Sequence, residues 1–204
     1  MKIPLHFILK RLHSFTGFLP IAAFLTEHMF SNFYILQGPE AYNARIELLS
    51  NLPFVMFMEI GLIALPILYH AGYGFYIVFT GKDNLAWYPY RQNWFYTLQR
   101  WTGLLAFAYI LFHLYQTKGS EFLYGKEVNY ARMAEIMHVP GFLWFYLASF
   151  TAIMFHFANG LWGALIGWGA VTSDAGRRVS GWICALAGVT LYVMGVSALL
   201  TLAK

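Results

Sequence analysis

Five apolar runs dominate this chain, near residues 12–36, 53–80, 98–117, 139–170 and 179–203. Each approaches the roughly 20 residues that carry a helix across a bilayer core. An isolated span must satisfy its own backbone, so all five are expected to be helices. The composition agrees: 59% of the residues are hydrophobic and only 11% charged, against about 25% charged in an ordinary soluble domain. The expected fold class is therefore all-α, with residues 1–204 forming one integral membrane bundle of five transmembrane helices. The second and fourth runs look long enough to project beyond the bilayer, and the third is the shortest.

The charges divide by side. With the N-terminus inside, the inner segments hold Lys2, Lys10, Arg11, Lys82, Arg91, Arg100, Arg177 and Arg178 against only Asp83 and Asp174. The outer segments balance Arg45, Lys118, Lys126, Arg132 and Lys204 with Glu40, Glu47, Glu121, Glu127 and Glu135. This asymmetry fits five crossings with the C-terminus outside. Trp87, Tyr88, Tyr90, Trp94 and Tyr96 then make an interfacial belt on the inner loop. The mixed outer segments 37–52 and 118–138 suit short surface helices, and 171–178 suits a tight turn. No basic run is long enough for a nucleic-acid partner. The one cysteine, Cys184, allows neither a disulfide framework nor a thiolate cluster. The first run carries Glu27-His28 and lacks a small-residue cleavage site, so it is expected to remain as a span.

Four runs each hold one histidine well inside them: His28, His70, His113 and His156 recur about every 43 residues. Ionisable groups within apolar helices are costly and usually functional. Measured from the outer ends at about 1.5 Å per residue, His70 and His156 lie roughly 25 Å deep, and His28 and His113 roughly 8–14 Å deep. A lone membrane histidine is often a helix contact, but two levels with two imidazoles each suit bis-histidine haem b. Zinc fits less well, because it gathers its protein ligands at one point. Gly74 and Gly160 follow His70 and His156 by four residues on the same helical face. Gly17 shares a face with His28, and all three glycines are expected to admit a porphyrin edge.

Other polar residues need a role. Arg11, His13 and Arg100 sit toward the inner end, either as partners of haem propionates or as contacts to a partner subunit. His6 and His138 are helix-end residues of the latter kind. Glu59 lies about 16 Å outward of His70, close to the outer histidine level. It is either a proton donor and acceptor for a reducible ligand or a paired interfacial carboxylate. Glu27 points away from His28, toward water or a loop. Gly163-x-x-x-Gly167 reads as helix packing.

The chain also repeats itself. "RLHSFTG" before His28 matches "QRWTG" before His113, and "YHAGYG" matches "FHFANG" as His-x-x-x-Gly. The first two runs thus copy the third and fourth, leaving the fifth unmatched. Transporters use such repeats too.

These motifs carry a resemblance over nearly the whole chain. "RLHSFTG" with His28, "LP-x-x-YHAGYG" from Leu65 to Gly74, "NW-x-x-x-LQR-x-TG" from Asn93 to Gly103 with His113, and "FHFANGLW" from Phe155 to Trp162 resemble one family. It is the dihaem, five-helix cytochrome b subunit of succinate:quinone oxidoreductases and quinol:fumarate reductases. The resemblance implies a prokaryotic cytoplasmic membrane and two stacked haems b. It also implies a quinone, usually menaquinone, and a flavoprotein and an iron–sulfur protein docked on the inner face. His70 and His156 would ligate the inner haem, His28 and His113 the outer one. Dicarboxylate chemistry would then lie entirely on a partner subunit. Some relatives carry a glutamate beside the fourth-helix ligand for proton movement; Met154 and Phe155 stand there instead. Alternatives are a dihaem quinone-linked anchor of a hydrogenase or formate dehydrogenase, or a transporter or purely structural anchor without haem. The cytochrome b of quinol:cytochrome c reductases uses two ligands on each of two helices, unlike the single ligand per helix here.

Overall fold

The computed structural model describes residues 4–204, so the inner charge assigned to Lys2 lies outside the described residues. Among them every regular element is helical. The first run is α1, residues 5–33, in which Leu5–Thr16 and Ala22–Phe33 are joined by a π-helical turn, Gly17–Ile21, around Pro20. A proline inside a helix removes a backbone donor, and a π turn is one way to absorb the mismatch. A surface helix, α2, spans Pro39–Ser50. Next, α3 covers Val55–Thr80 and contains the π turn Met58–Ala64. The following helix, α4, runs over residues 91–124 through a π turn at Tyr115–Gly119. A second surface helix, α5, is Tyr130–His138, started by Asn129, whose Oδ1 accepts from the Arg132 amide at 2.9 Å. The last two are α6, Phe142–Gly167, and α7, Asp174–Leu202.

Several boundaries differ from the sequence expectation, most of them for one reason. In the sequence a charge marks the end of an apolar run, whereas in the structure Arg100, Lys118 and Arg11 sit inside helices and find partners. The third run is not the shortest; α4 is the longest helix in the described chain. Its Arg100 reaches back to the C-terminus of α3, where Nη2 donates to the carbonyls of Val78 at 2.5 Å and Gly81 at 2.8 Å. Its Lys118 pairs with Glu59 at 3.5 Å and Glu121 at 3.6 Å. Because α4 continues to Tyr124, a depth counted from Lys118 places His113 too near the outer end. Likewise α1 begins at Leu5, ahead of Lys10 and Arg11. Arg11 lies over the rings of Phe7 and Trp168 and donates through Nη1 to the Gly167 carbonyl, a stem-and-head placement common for arginine near helix ends. The fifth run begins at Asp174 rather than 179, because Ser173 Oγ caps it by accepting from the Gly176 amide at 3.1 Å. The fourth is trimmed to 142–167 between Gly141 and Gly169, whose φ of 85° and 78° only glycine adopts cheaply.

By length and composition α3, α6 and α7 are apolar enough to cross a membrane, with mean hydropathies of 1.6, 1.3 and 2.1. Around the bundle the packing order is α1, α3, α4, α6, α7 and back to α1. The surface helices close the end of the bundle nearer His28 and His113. Ile35, Tyr42, Met133, Ile136, Met137, Tyr146, Ala198 and Leu202 form one buried cluster there. Arg45 of α2 is tied to Glu27 at 3.1 Å and to Ser31 at 3.0 Å, so Glu27 turns to a surface helix rather than to water or a loop. A second cluster joins Met29, Phe150, Met154, Leu191 and Met194 along α1, α6 and α7. The π turns, and the glycine spacing of α7 described below, were not anticipated.

Candidate functional site

The four intramembrane histidines meet in two pairs. His28 of α1 and His113 of α4 have ring centroids 6.0 Å apart, with planes at 74°. His70 of α3 and His156 of α6 are 6.2 Å apart, with planes at 88°. Metal–imidazole bonds run about 2 Å, and a ring centre lies ~1.1 Å behind its nitrogen, so one iron between two imidazoles sets the centroids about 6.2 Å apart. Both pairs match that separation. The ring nitrogens of the inner pair are already sorted. His70 Nδ1 lies 2.9 Å from the His13 carbonyl, and His156 Nδ1 lies 2.9 Å from the Gln99 carbonyl. A carbonyl only accepts, so each Nδ1 carries the proton and each Nε2 keeps a free lone pair. Metal-ligating histidines are generally oriented this way. At the outer pair the corresponding contact is longer: His113 Nδ1 lies 3.4 Å from the Tyr146 hydroxyl.

Polar atoms at the inner end fit an anionic edge. His13 stacks on His70 at 4.0 Å and 12°. Its Nδ1, together with Nε and Nη1 of Arg100, is buried without a hydrogen-bond partner among the described residues. Buried polar groups are nearly always satisfied, so each such atom asks for an acceptor; a porphyrin carboxylate is one. Arg11 is committed to Gly167, as above. It also lines, with Phe7, Lys10, Ser14, Gly163 and Gly167, a cavity of about 270 Å³ between α1 and α6. The residues present thus fit haem b at two levels.

Each of the three glycines expected to flank a porphyrin also lies close to a side chain. A Cβ at Gly17 would meet the His70 ring, one at Gly74 would lie 3.5 Å from His13, and one at Gly160 would lie 3.1 Å from Gln99 Nε2. Glu59 is held by Lys118 in a half-exposed pair, which joins the π turn of α3 to that of α4. His6 contacts Tyr73, and His138 contacts its own helix at Ala134.

Sequence reasoning missed a polar brace around His156. Gln99 Nε2 donates to the His156 carbonyl at 3.0 Å, and Gln99 Oε1 accepts from Asn159 Nδ2 at 2.8 Å. The signal was available: Gln99 lies in the "LQR-x-TG" stretch, and Asn159 sits in "FHFANG". Tyr146, 1% exposed, was equally silent in a chain with 14 tyrosines.

The chain matches the family model described as succinate dehydrogenase/fumarate reductase transmembrane subunit over residues 83–196. It is 37% identical over 193 residues to the succinate dehydrogenase cytochrome b558 subunit of Bacillus subtilis (strain 168), an alignment covering 95% of each chain. A family match across more than half the chain, joined to a relative aligned almost end to end, places this protein in the succinate dehydrogenase/fumarate reductase transmembrane subunit family.

Proposed function

We propose that this chain is the cytochrome b subunit of a succinate:quinone oxidoreductase or quinol:fumarate reductase. In this reading all five long helices cross a prokaryotic cytoplasmic membrane, with the N-terminus inside. It anchors a flavoprotein and an iron–sulfur subunit at the inner face and connects them electronically to a quinone, menaquinone being the family's usual one. His70 and His156 hold the inner haem b, His28 and His113 the outer. Each haem, once bound, supplies a one-electron carrier whose potential the protein tunes through ligand orientation and local polarity. The chain's own part is to fix four imidazoles in two pairs, to present Nε2 at the inner level, and to exclude water with apolar helix faces. The observation that carries the reading is the pair of centroid separations, 6.0 and 6.2 Å, at two levels of one bundle. Haem assay of the native complex is expected to give two haems b per copy of this chain, together with flavoprotein and iron–sulfur subunits. A complex free of haem ends the proposal.

Quinone chemistry moves protons as well as electrons, and Glu59 is the candidate group for that exchange. Its Lys118 partner fixes it at the junction of α3 and α4. Glu59→Gln is expected to keep both haems and to slow quinone turnover by roughly a hundredfold, the scale of one lost acid–base group. Wild-type quinone kinetics in that variant would remove Glu59 from the site.

A further inference from the structure

The two Thr-Gly steps of the internal repeat, Thr16-Gly17 on α1 and Thr102-Gly103 on α4, face equivalent targets. A Cβ on Gly17 would stand 2.5 Å from His70 Cε1 and 3.0 Å from its Nδ1. On Gly103 it would stand 2.8 Å from His156 Cε1 and 3.2 Å from its Nδ1. Real side chains do not approach that closely, so each ring occupies room that only a glycine leaves. The carbonyl that receives the ring's Nδ1 proton comes, in both copies, from the residue four before the glycine: His13 and Gln99. The threonine hydroxyl bonds that same carbonyl, Thr16 Oγ1 at 2.9 Å and Thr102 Oγ1 at 3.3 Å. Thr102 Oγ1 also bonds the Leu98 carbonyl at 2.6 Å. Among the described residues the outer pair has no such arrangement; His113 turns to the Tyr146 hydroxyl.

We propose that each Thr-Gly step is an imidazole clasp, a positioning device for the inner haem alone. Glycine seats the ring against the neighbouring helix. The carbonyl fixes the Nδ1–H tautomer, leaving Nε2 for iron. The threonine hydroxyl shares the carbonyl, so it moderates how strongly that oxygen draws on the ligand proton. A stronger pull makes the imidazole a better donor and favours oxidised iron. The repeat therefore encodes the seat of the inner pair, while the outer pair was furnished separately.

This rests on the bis-histidine reading, and the test separates the two. In the native complex, Gly17→Ala and Gly103→Ala are each expected to reduce haem from two to one per chain. Both should remove the haem lost in His156→Ala, with the outer haem's spectrum retained as an internal control of folding. Thr102→Val is milder: both haems stay, the inner midpoint potential falls, the outer does not move, and Thr102→Ser restores the original value. Potentials unchanged in Thr102→Val, or both haems unshifted in Gly103→Ala, overturn the clasp. Wild-type complex lacking haem, or His156→Ala retaining both, overturns the ligand reading itself.

Discussion

Replacing His156 with alanine is expected to remove one haem of the two proposed, and His70→Ala the same one. His28→Ala and His113→Ala are expected to share the loss of the other. This follows from which rings meet across the bundle. His70 faces His156 at 6.2 Å and His28 faces His113 at 6.0 Å, although His28 and His70 lie on sequence-adjacent spans. Redox-difference spectra resolved by potential, recorded on each variant complex, distinguish the two pairings. If His28→Ala and His70→Ala delete the same component, the pairing fails. His156→Ala is the cleaner of the inner pair. His13 stacks on His70 at 4.0 Å with a free buried nitrogen, so a residual inner signal in His70→Ala is expected to disappear when His13→Ala is added. Among the described residues no second imidazole stacks on His156 as His13 does on His70.

Much of that pairing was legible in the sequence because two periodicities coincide. Apolar runs of bilayer length mark the helices, and one deep imidazole in each of four runs, at nearly constant spacing, marks two depths. Partner choice then followed from depth. What stayed hidden depends on which atom faces which. Gly17 stands out in the sequence, but helical phase alone aims it along the His28 face. Only the packing of α1 on α3 shows that it meets the His70 ring. Gly103 carries the same information and was passed over, since nothing in α4 by itself says that an imidazole from α6 lies against it. Arg100 and Lys118 misled for a related reason. Their charge is answered by carbonyls at the end of α3 and by Glu59, contacts between helices that no one-dimensional count contains. The π turns are also silent in periodicity. They change the register by one residue and shift which side chains a helix presents beyond them.

The unmatched fifth helix yields the second large effect. Glycines 181, 188 and 195 of α7 recur every seventh residue, a spacing that keeps them on one seam of a helix packed against another. They face α6 at graded clearance. A Cβ at Gly181 would lie 3.4 Å from Trp162, an ordinary contact, whereas at Gly188 it would lie 2.8 Å from the Ala158 Cβ. At Gly195 it would run into the Phe150 ring and approach Met29 Sδ at 3.1 Å. Between helices in lipid, close approach of small residues supplies much of the attraction. Alanine in place of glycine gains about 0.5–1 kcal/mol in a helix interior, while overpacking costs typically 1–3 kcal/mol. The sign of a Gly→Ala change should therefore reverse along the seam. Gly181→Ala is expected to be neutral or slightly stabilising, Gly188→Ala destabilising, and Gly195→Ala worse. A bulkier Gly188→Leu should separate α6 from α7 outright. Because Met154 and Ala158 flank His156, and Met29 adjoins His28, that separation reaches both haem levels. Thermal haem release from the purified complex measures the series. Equal release temperatures for alanine at 181, 188 and 195 would mean that α7 merely leans on α6; the expected order requires that it holds the ligand helix in place.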